Sequence, residues 1–473
     1  MNATSPESDL QLFIRKLAAD GASSAVTAQF SHFYREFRSG RQSVLPEDSI
    51  SPLHSDEIPS LHDLDGYRQQ GVAALPQTVV IKLNGGLGTT MGCNGPKSLI
   101  TVKNGLHFLD IAIRQLLAAT NSTIVPPFLL MNSYNTERAS LAALQQYRDL
   151  PDSLPRSFLQ NRFPRIDADT LQPVTWPAAP RLEWNPPGHG DMFTALQSTG
   201  LLKMMLERHY RYAFISNSDN VGASLDTALL GYLANKQAGF VMEVTERTAM
   251  DRKGGHVAKG KNGNLLLRER IQCPDEDMDR FRDIRRHRFF NTNNLWIDLA
   301  ALESLLVGTN GILELPLLCN RKHVDATDPR SPAVVQLESA MGSALSLFSS
   351  AAVIAVPRSR FIPVKTCDDL LLLRSDYYRL SGDNRIVPVP EHSALAPEIT
   401  LDREYFGTVD RMSERFNSGI PSLKECRRFS LEGDISFGKD CSVIGNVTVA
   451  NHTAIPYTVP DGTVLTGNLH IGD

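Results

Sequence analysis

The sequence predicts an α/β protein: a mostly parallel mixed sheet, preceded by a helical segment and followed by a parallel β-helix. Three observations carry that reading. Between Thr78 and Pro388 short apolar runs alternate with helical patterns, the order that builds a parallel sheet with helices on its faces. Residues 8–38 place apolar side chains at helical spacing, and from Gly433 a six-residue repeat replaces every helical period. The expected organisation is a helical segment with a linker at 1–74, an α/β domain at 75–388 and a β-helix domain at 389–473.

In the first segment Leu10, Phe13, Ile14 and Leu17, then Phe30, Phe33, Tyr34 and Phe37, define two apolar stripes broken by Gly21 and Gly40. Pro and Ser enrichment from Ser43 to Pro59 reads as a loop into the first core strand, Thr78 to Leu83. Further strands are expected at Phe128–Met131, Tyr212–Ser216, Gly239–Val244, Leu295–Ile297 and Ala352–Val356. In the last segment Phe437, Val443, Val449 and Ile455 fall six apart, as do Ile435, Cys441, Val447 and Thr453. Two in-phase series of that period make each hexad one side of a coil. Such a coil needs a capped or paired end, so self-association through it is expected.

Composition narrows the function. The chain has 473 residues, 42% hydrophobic and 21% charged, with net charge −4, which describes a globular protein rather than a polyanion binder. Arg285-Arg286-His287-Arg288 is the one compact basic run, read as a solvated face rather than a nucleic-acid patch. Six cysteines contain no Cys-x-x-Cys pair, so neither a zinc site nor a disulfide framework is indicated and a reducing cytoplasm is expected. No basic segment followed by an apolar stretch opens the chain. The uncharged stretch Ser339–Pro357 carries five serines and is expected to be a buried helix followed by a strand, not a membrane span.

The glycine-rich segment after the first strand carries the chemistry. Lys82-Leu83-Asn84-Gly85-Gly86-Leu87-Gly88-Thr89-Thr90-Met91-Gly92-Cys93 is followed by Gly95-Pro96-Lys97-Ser98. Glycines let backbone N–H groups approach a polyanion, and Lys97 adds a point charge. Pro96 separates Gly95 from Lys97, which excludes a Walker A loop, and Met91 stands where the dinucleotide fingerprint needs glycine. A nucleoside triphosphate over the carboxyl end of a parallel sheet remains.

Five further stretches point the same way. Phe158-Leu159-Gln160-Asn161-Arg162-Phe163-Pro164 offers a carboxamide that can both donate and accept. Trp184-Asn185-Pro186-Pro187-Gly188-His189-Gly190-Asp191 sets His189 between glycines in a polar turn, where it has few packing partners. Asn217-Ser218-Asp219-Asn220 follows a strand, on the sheet edge that carries the glycine loop, and its carboxylate suits Mg²⁺. Phe290-Asn291-Thr292-Asn293-Asn294 places carboxamides, which suit hexose hydroxyls, beside an apolar strand. Pro357-Arg358-Ser359-Arg360-Phe361-Ile362-Pro363-Val364-Lys365 is a proline-restricted basic loop.

Taken together these stretches closely resemble the signature of the eukaryotic-type UTP–glucose-1-phosphate uridylyltransferases, from about residue 8 to the end and most densely between 78 and 376. That resemblance implies a Rossmann-like, GT-A-like nucleotidyltransferase fold with a left-handed β-helix. It implies transfer of uridylyl from UTP to α-D-glucose 1-phosphate, reversibly and with Mg²⁺, by in-line displacement. It implies Lys365 and Lys97 as catalytic, with Leu83, Asn84, Gly85, Gly86, Gln160, Gly188, Asn217 and Asp219 on the nucleotide. Asp219 also takes the metal. His189, Asn293, Asn294 and, more weakly, Glu243 fall to the sugar phosphate. Phe193 and Asn94 depart from the usual residues of the family. A broad-specificity UDP-sugar pyrophosphorylase and a non-catalytic nucleotide-sugar sensor are the alternative readings; the sensor would be expected to have lost Lys97, Asp219 or Lys365, and all three are present.

Overall fold

A computed structural model describes residues 6–40, 43–120, 124–248, 251–389 and 396–472. Two helices, Pro6–Ala19 and Ser24–Arg38, form the N-terminal segment. Ser23 caps the second by accepting from the Val26 N–H at 3.3 Å, and Gly21 and Gly40 break the chain as expected. Phe13, Phe30 and Phe33 are buried. Phe30 meets Phe163 edge-on at 5.2 Å, so the helices pack on the segment that follows Gln160.

The central sheet has ten strands. Its main path runs Ile50–Pro52, His256–Gly260, Phe289–Asp298, Tyr212–Asn217, Thr78–Asn84, Phe128–Asn132 and Ser157–Leu159. Phe240–Glu246 pairs antiparallel with Phe289–Asp298 and parallel with Ala351–Ala355. The Tyr212, Thr78, Phe128 and Ser157 strands are mutually parallel. Val79, Ile81, Leu129, Ala213, Ile215 and Phe240 are wholly buried, consistent with a sheet covered on both faces. Trp296 stacks on Phe214 at 4.4 Å inside it. Among the described residues no helix is long and apolar enough to cross a membrane.

The uncharged stretch holds as expected: Met341–Leu347 is a largely buried helix, of the 3-10 kind, followed by the Ala351–Ala355 strand. Two expectations change. Ile50–Pro52, placed in the linker, is an edge strand of the central sheet. The basic run is not a solvated face throughout. His287 is buried against the Glu47 carboxylate at 3.0 Å, Arg286 bonds the same group, and Arg268 completes it at 2.7 Å. A buried carboxylate must be paired, and Glu47, distant in sequence, recruits the Arg268 and Arg286 cations and the His287 ring.

Toward the C-terminus Glu398–Leu401, Cys426–Glu432, Ser442–Asn451 and Val464–Ile471 form one parallel sheet, and Ile435–Phe437 pairs parallel with Tyr457–Val459. Phe429 lies beside Val447, three hexads along. Ile435, Phe437, Cys441, Val443, Val447 and Val449 are buried, but Ile455 is 74% exposed. The period slips after Asn451, whose side chain donates to Asp434 and Ile455 carbonyls at 2.9 and 2.8 Å, so the next turn is longer and Ile455 swings out. One apolar core joins Met91, Ile100, Val364 and Leu370 to Phe406, Phe429 and Val447, tying these strands to the glycine loop.

Candidate active site

Strand register lines up one polar rim. Asn217 lies beside Leu83, Asn84 beside Asn132, and Asn132 beside Leu159. The Gln160 N–H donates to the Asn132 carbonyl at 2.8 Å, which places its carboxamide over the glycine loop. A Cβ on Gly85 would lie 2.8 Å from Gln160 Oε1, whereas one on Gly86 would meet nothing within 4 Å. The loop closes on itself through Gly88 N–H to Gly95 O and Lys97 N–H to Gly86 O, each 3.2 Å. The Asn84 carboxamide turns inward, donating to Asn132 Oδ1 and Ser140 Oγ at 2.7 Å. Its main chain, not its side chain, faces the rim.

Lys97 Nζ donates to Asp219 Oδ2 at 2.7 Å, with both side chains partly accessible. The two residues, 122 positions apart, meet because the glycine loop and the strand end at Asn217 are neighbours in the sheet. Asp219 is also the place where the basic loop arrives: the Val364 N–H donates to its carbonyl at 3.2 Å. Lys365 follows, exposed, its own N–H held by Asp369 Oδ2 at 2.7 Å at the start of the Cys367–Arg374 helix.

Opposite, the Pro187–Gly190 turn is zipped to Ser339. Ser339 N–H donates to Pro187 O at 2.8 Å, and Gly190 N–H to Ser339 O at 2.9 Å. Gly188 has φ +79°, and a Cβ there would lie 2.4 Å from Ser339 O. His189 Nδ1 accepts the Met341 N–H at 3.0 Å, so its proton sits on Nε2. Removal from water pushes this imidazole down to about 4, leaving a neutral donor. The buried Asp191 accepts from Asn161 N and Nδ2 at 2.6 and 2.8 Å, and burial pushes its carboxyl up to about 7. This fastens the Gln160 segment to the helix Asp191–Ser198.

The third wall comes from the Phe289–Asp298 strand, whose Leu295 lies beside Ile215. Asn293 is part-buried with φ +57° and bonds Asn291. Asn294 and Glu243 are wholly buried. Both Glu243 oxygens are engaged, by Arg360 at 2.6 and 2.7 Å, Trp296 Nε1 at 2.9 Å and Asn294 Nδ2 at 3.2 Å. Glu243 therefore stands behind the wall rather than at its surface, because a carboxylate in an apolar strand must spend its acceptors on buried donors.

The family model for UTP–glucose-1-phosphate uridylyltransferase matches residues 27–443. The chain belongs to that family. It is 36% identical over 445 residues to the UTP–glucose-1-phosphate uridylyltransferase of Encephalitozoon cuniculi, covering 93% of this chain and 86% of that one. It is 39% identical over 423 residues to the Hordeum vulgare enzyme, covering 89% and 86%. Among solved structures, a Trypanosoma brucei UDP-glucose phosphorylase aligns with TM-score 0.89 at 43% identity, over 98% of this chain and 100% of that one. A mutant UDP-glucose pyrophosphorylase of Leishmania major, in complex with UDP-glucose, aligns with TM-score 0.89 at 38% identity, over 98% and 99%. This uridylyltransferase-family chain is thus a nucleotidyltransferase with a mixed, mostly parallel central sheet.

Within this uridylyltransferase fold the structure brings Leu83, Gly85, Gln160, Asn217, Asp219 and Lys97 to one rim and sets the His189 and Asn293 walls beside it. Sequence reasoning missed four buried residues that hold these in place: Lys82, Asp191, Asn220 and Arg360. Lys82 is buried in the glycine-loop strand, donating to Ser216 Oγ and Ala223 O at 2.7 Å, and loss of water pushes its amine down to about 7. Each lies inside or beside a motif already singled out. The available signal was a charged or amide side chain where the apolar pattern wants none, as with Lys82 in Val79-Val80-Ile81-Lys82-Leu83.

Proposed function

We propose that the chain transfers uridylyl from UTP to α-D-glucose 1-phosphate, giving UDP-glucose and pyrophosphate, reversibly. The observation that carries this is the meeting of Lys97, Asp219 and the Lys365 loop at the rim that Gln160 and Gly85 complete. Gln160 matches the O4/N3–H edge of uracil, since one carboxamide supplies both a donor and an acceptor. Gly85, Gly86 and the Leu83–Asn84 main chain approach the nucleotide, Asn217 lies beside it, and Gly188 supports the base. The His189 Nε2–H donates to the sugar phosphate, and Asn293 reads the hexose, backed by Asn294 and Glu243.

In the displacement, a phosphate oxygen of the sugar phosphate bonds to the α-phosphorus as the bond to pyrophosphate breaks, and pyrophosphate leaves with the electron pair. No protein nucleophile is needed; positioning and charge stabilisation supply the catalysis. Lys97 and Lys365 neutralise the phosphates. Asp219, a single accessible carboxylate, suits Mg²⁺, which keeps several waters and shares substrate phosphates. Mg²⁺ held there would add further positive charge against the developing phosphate charge.

The C-terminal parallel strands, with their eighteen-residue coil step, support a left-handed β-helix and homo-oligomers formed through it; a light-scattering mass of one chain would refute the latter. The six unpaired cysteines suit a cytoplasmic enzyme. The test is pyrophosphate release with UTP, Mg²⁺ and glucose 1-phosphate, beside galactose 1-phosphate, ATP and CTP. Release confined to UTP with glucose 1-phosphate is expected. Equal use of several sugar phosphates would make it a broad-specificity UDP-sugar pyrophosphorylase, and no release with any pair would overturn the enzymatic reading.

A further inference from the structure

We propose that Arg360 is a positioning residue: anchored on Glu243, it sets the Asp219 turn and the Lys365 loop relative to one another. The proposal rests on the roles given to Asp219 and Lys365 above.

The anchor begins in the sheet. Between the Met242–Leu295 and Val244–Asn291 pairs, Thr292, Asn293 and Asn294 of the Phe289–Asp298 strand face one residue of the Phe240–Glu246 strand, a bulge that bends the strand carrying it. The residue it faces is Glu243. It receives the Arg360 guanidinium through Nε to Oε2 at 2.6 Å and Nη2 to Oε1 at 2.7 Å, the two-pronged geometry that fixes orientation as well as distance. Arg360 Nη2 also donates to Ser224 O at 2.8 Å, and Asp226 stands 4.0 Å from Nη1.

The Arg360 main chain then carries the constraint outward. Its carbonyl accepts from Asn220 Nδ2 at 3.2 Å and Asn294 Nδ2 at 3.3 Å. Asn220 Oδ1 accepts from Ile362 N–H at 2.9 Å and Gly222 N–H at 3.1 Å, while its Nδ2 also reaches Asn294 Oδ1 at 3.2 Å. Glu243, Asn294, Asn220 and Arg360 are 0%, 0%, 3% and 6% exposed. Asp219 is the residue before Asn220, and its carbonyl holds the Val364 N–H at 3.2 Å, one residue before Lys365. A Cβ on Gly222 would lie 2.5 Å from Ser359 O, so the two loops are in main-chain contact. Neither loop can shift without breaking bonds in this unit.

Stability alone is a poor account of the pair. A buried ion pair is commonly replaced by apolar groups at no net loss of stability, whereas misplacing a reacting charge by about 1 Å can cost about 10²-fold in rate. The experiment pairs Glu243→Gln with Arg360→Met in one chain, removing both charges while Gln still accepts from Trp296. The expected result is a thermal midpoint near wild type, the KM for UTP little changed, and kcat lowered about 10²-fold. Should the double variant fail to fold, Asn220→Ala decides, with the same kcat-selective loss expected. A folded double variant, or failing that Asn220→Ala, with wild-type kcat would overturn the proposal. Wild-type protein and Lys365→Ala run alongside. An inactive wild type defeats the underlying reading, whereas an active wild type, an impaired Lys365→Ala and an unimpaired positioning variant defeat the positioning role alone.

Discussion

The proposed nucleotide side and the proposed sugar side of the crevice are built by opposite means. On the nucleotide side, neighbouring parallel strands end in one row and present main chain, glycines and the Gln160 carboxamide. Two buried titratable groups brace it, Asp191 on the Asn161 segment and Lys82 in the glycine-loop strand. On the sugar side, the Lys365 loop is tied to a buried unit of Glu243, Arg360, Asn294 and Asn220, and Asn293 is the residue before Asn294 in that unit. A surface made by strand ends is secured by the sheet itself, so its side chains are free for recognition. A surface made by loops needs a dedicated framework, and buried ion pairs supply one.

This contrast can be broken most forcefully at the two lysines. Lys365→Ala and Lys97→Ala should each lower kcat by about 10²–10³-fold, the usual loss on deleting one preorganised charge, without moving the thermal midpoint appreciably. Steady-state pyrophosphate release checks it, and near-normal turnover in Lys365→Ala would refute the mechanism. Next comes Gly188→Ala, where positive φ and the 2.4 Å approach to Ser339 O should cost about 1–3 kcal/mol, read by denaturant unfolding. Gly86→Ala, with open space around it, should stay within about 0.5 kcal/mol.

Gln160→Ala should raise the KM for UTP about tenfold, near the worth of one specific hydrogen bond, and erode selection against CTP while sparing the KM for glucose 1-phosphate. An equal loss for both substrates would mean the two sides are not separable. The smallest effect concerns Asp191, whose carboxyl ionises near 7 when buried against an ordinary 3.8. Between those values the folded state holds the extra proton. The stability tied to this group is therefore present at acid pH and lost as pH rises through 7. The thermal midpoint of wild type relative to Asp191→Asn should fall as pH rises from 3.8 to about 7, and a flat difference would place the proton elsewhere.

The sequence by itself determined the α/β class with its mostly parallel central sheet and the motifs that meet at the rim. Alternating strands and helices, the glycine loop and the hexads are local patterns set by backbone sterics and side-chain periodicity, and short-range physics writes them into adjacent residues. Gln160, Asp219, Lys97 and Lys365 were legible because each sits in a motif whose backbone chemistry is unusual. Tertiary structure alone decided which polar residues face the crevice and which stand behind. Asn84 turns inward, Glu243 is consumed by Arg360, and the basic run around His287 closes on Glu47. The reason is desolvation: a charge or amide taken from water must find its partner wherever the fold puts one, and for Glu243 that partner lies 117 residues away, beyond the reach of any local pattern.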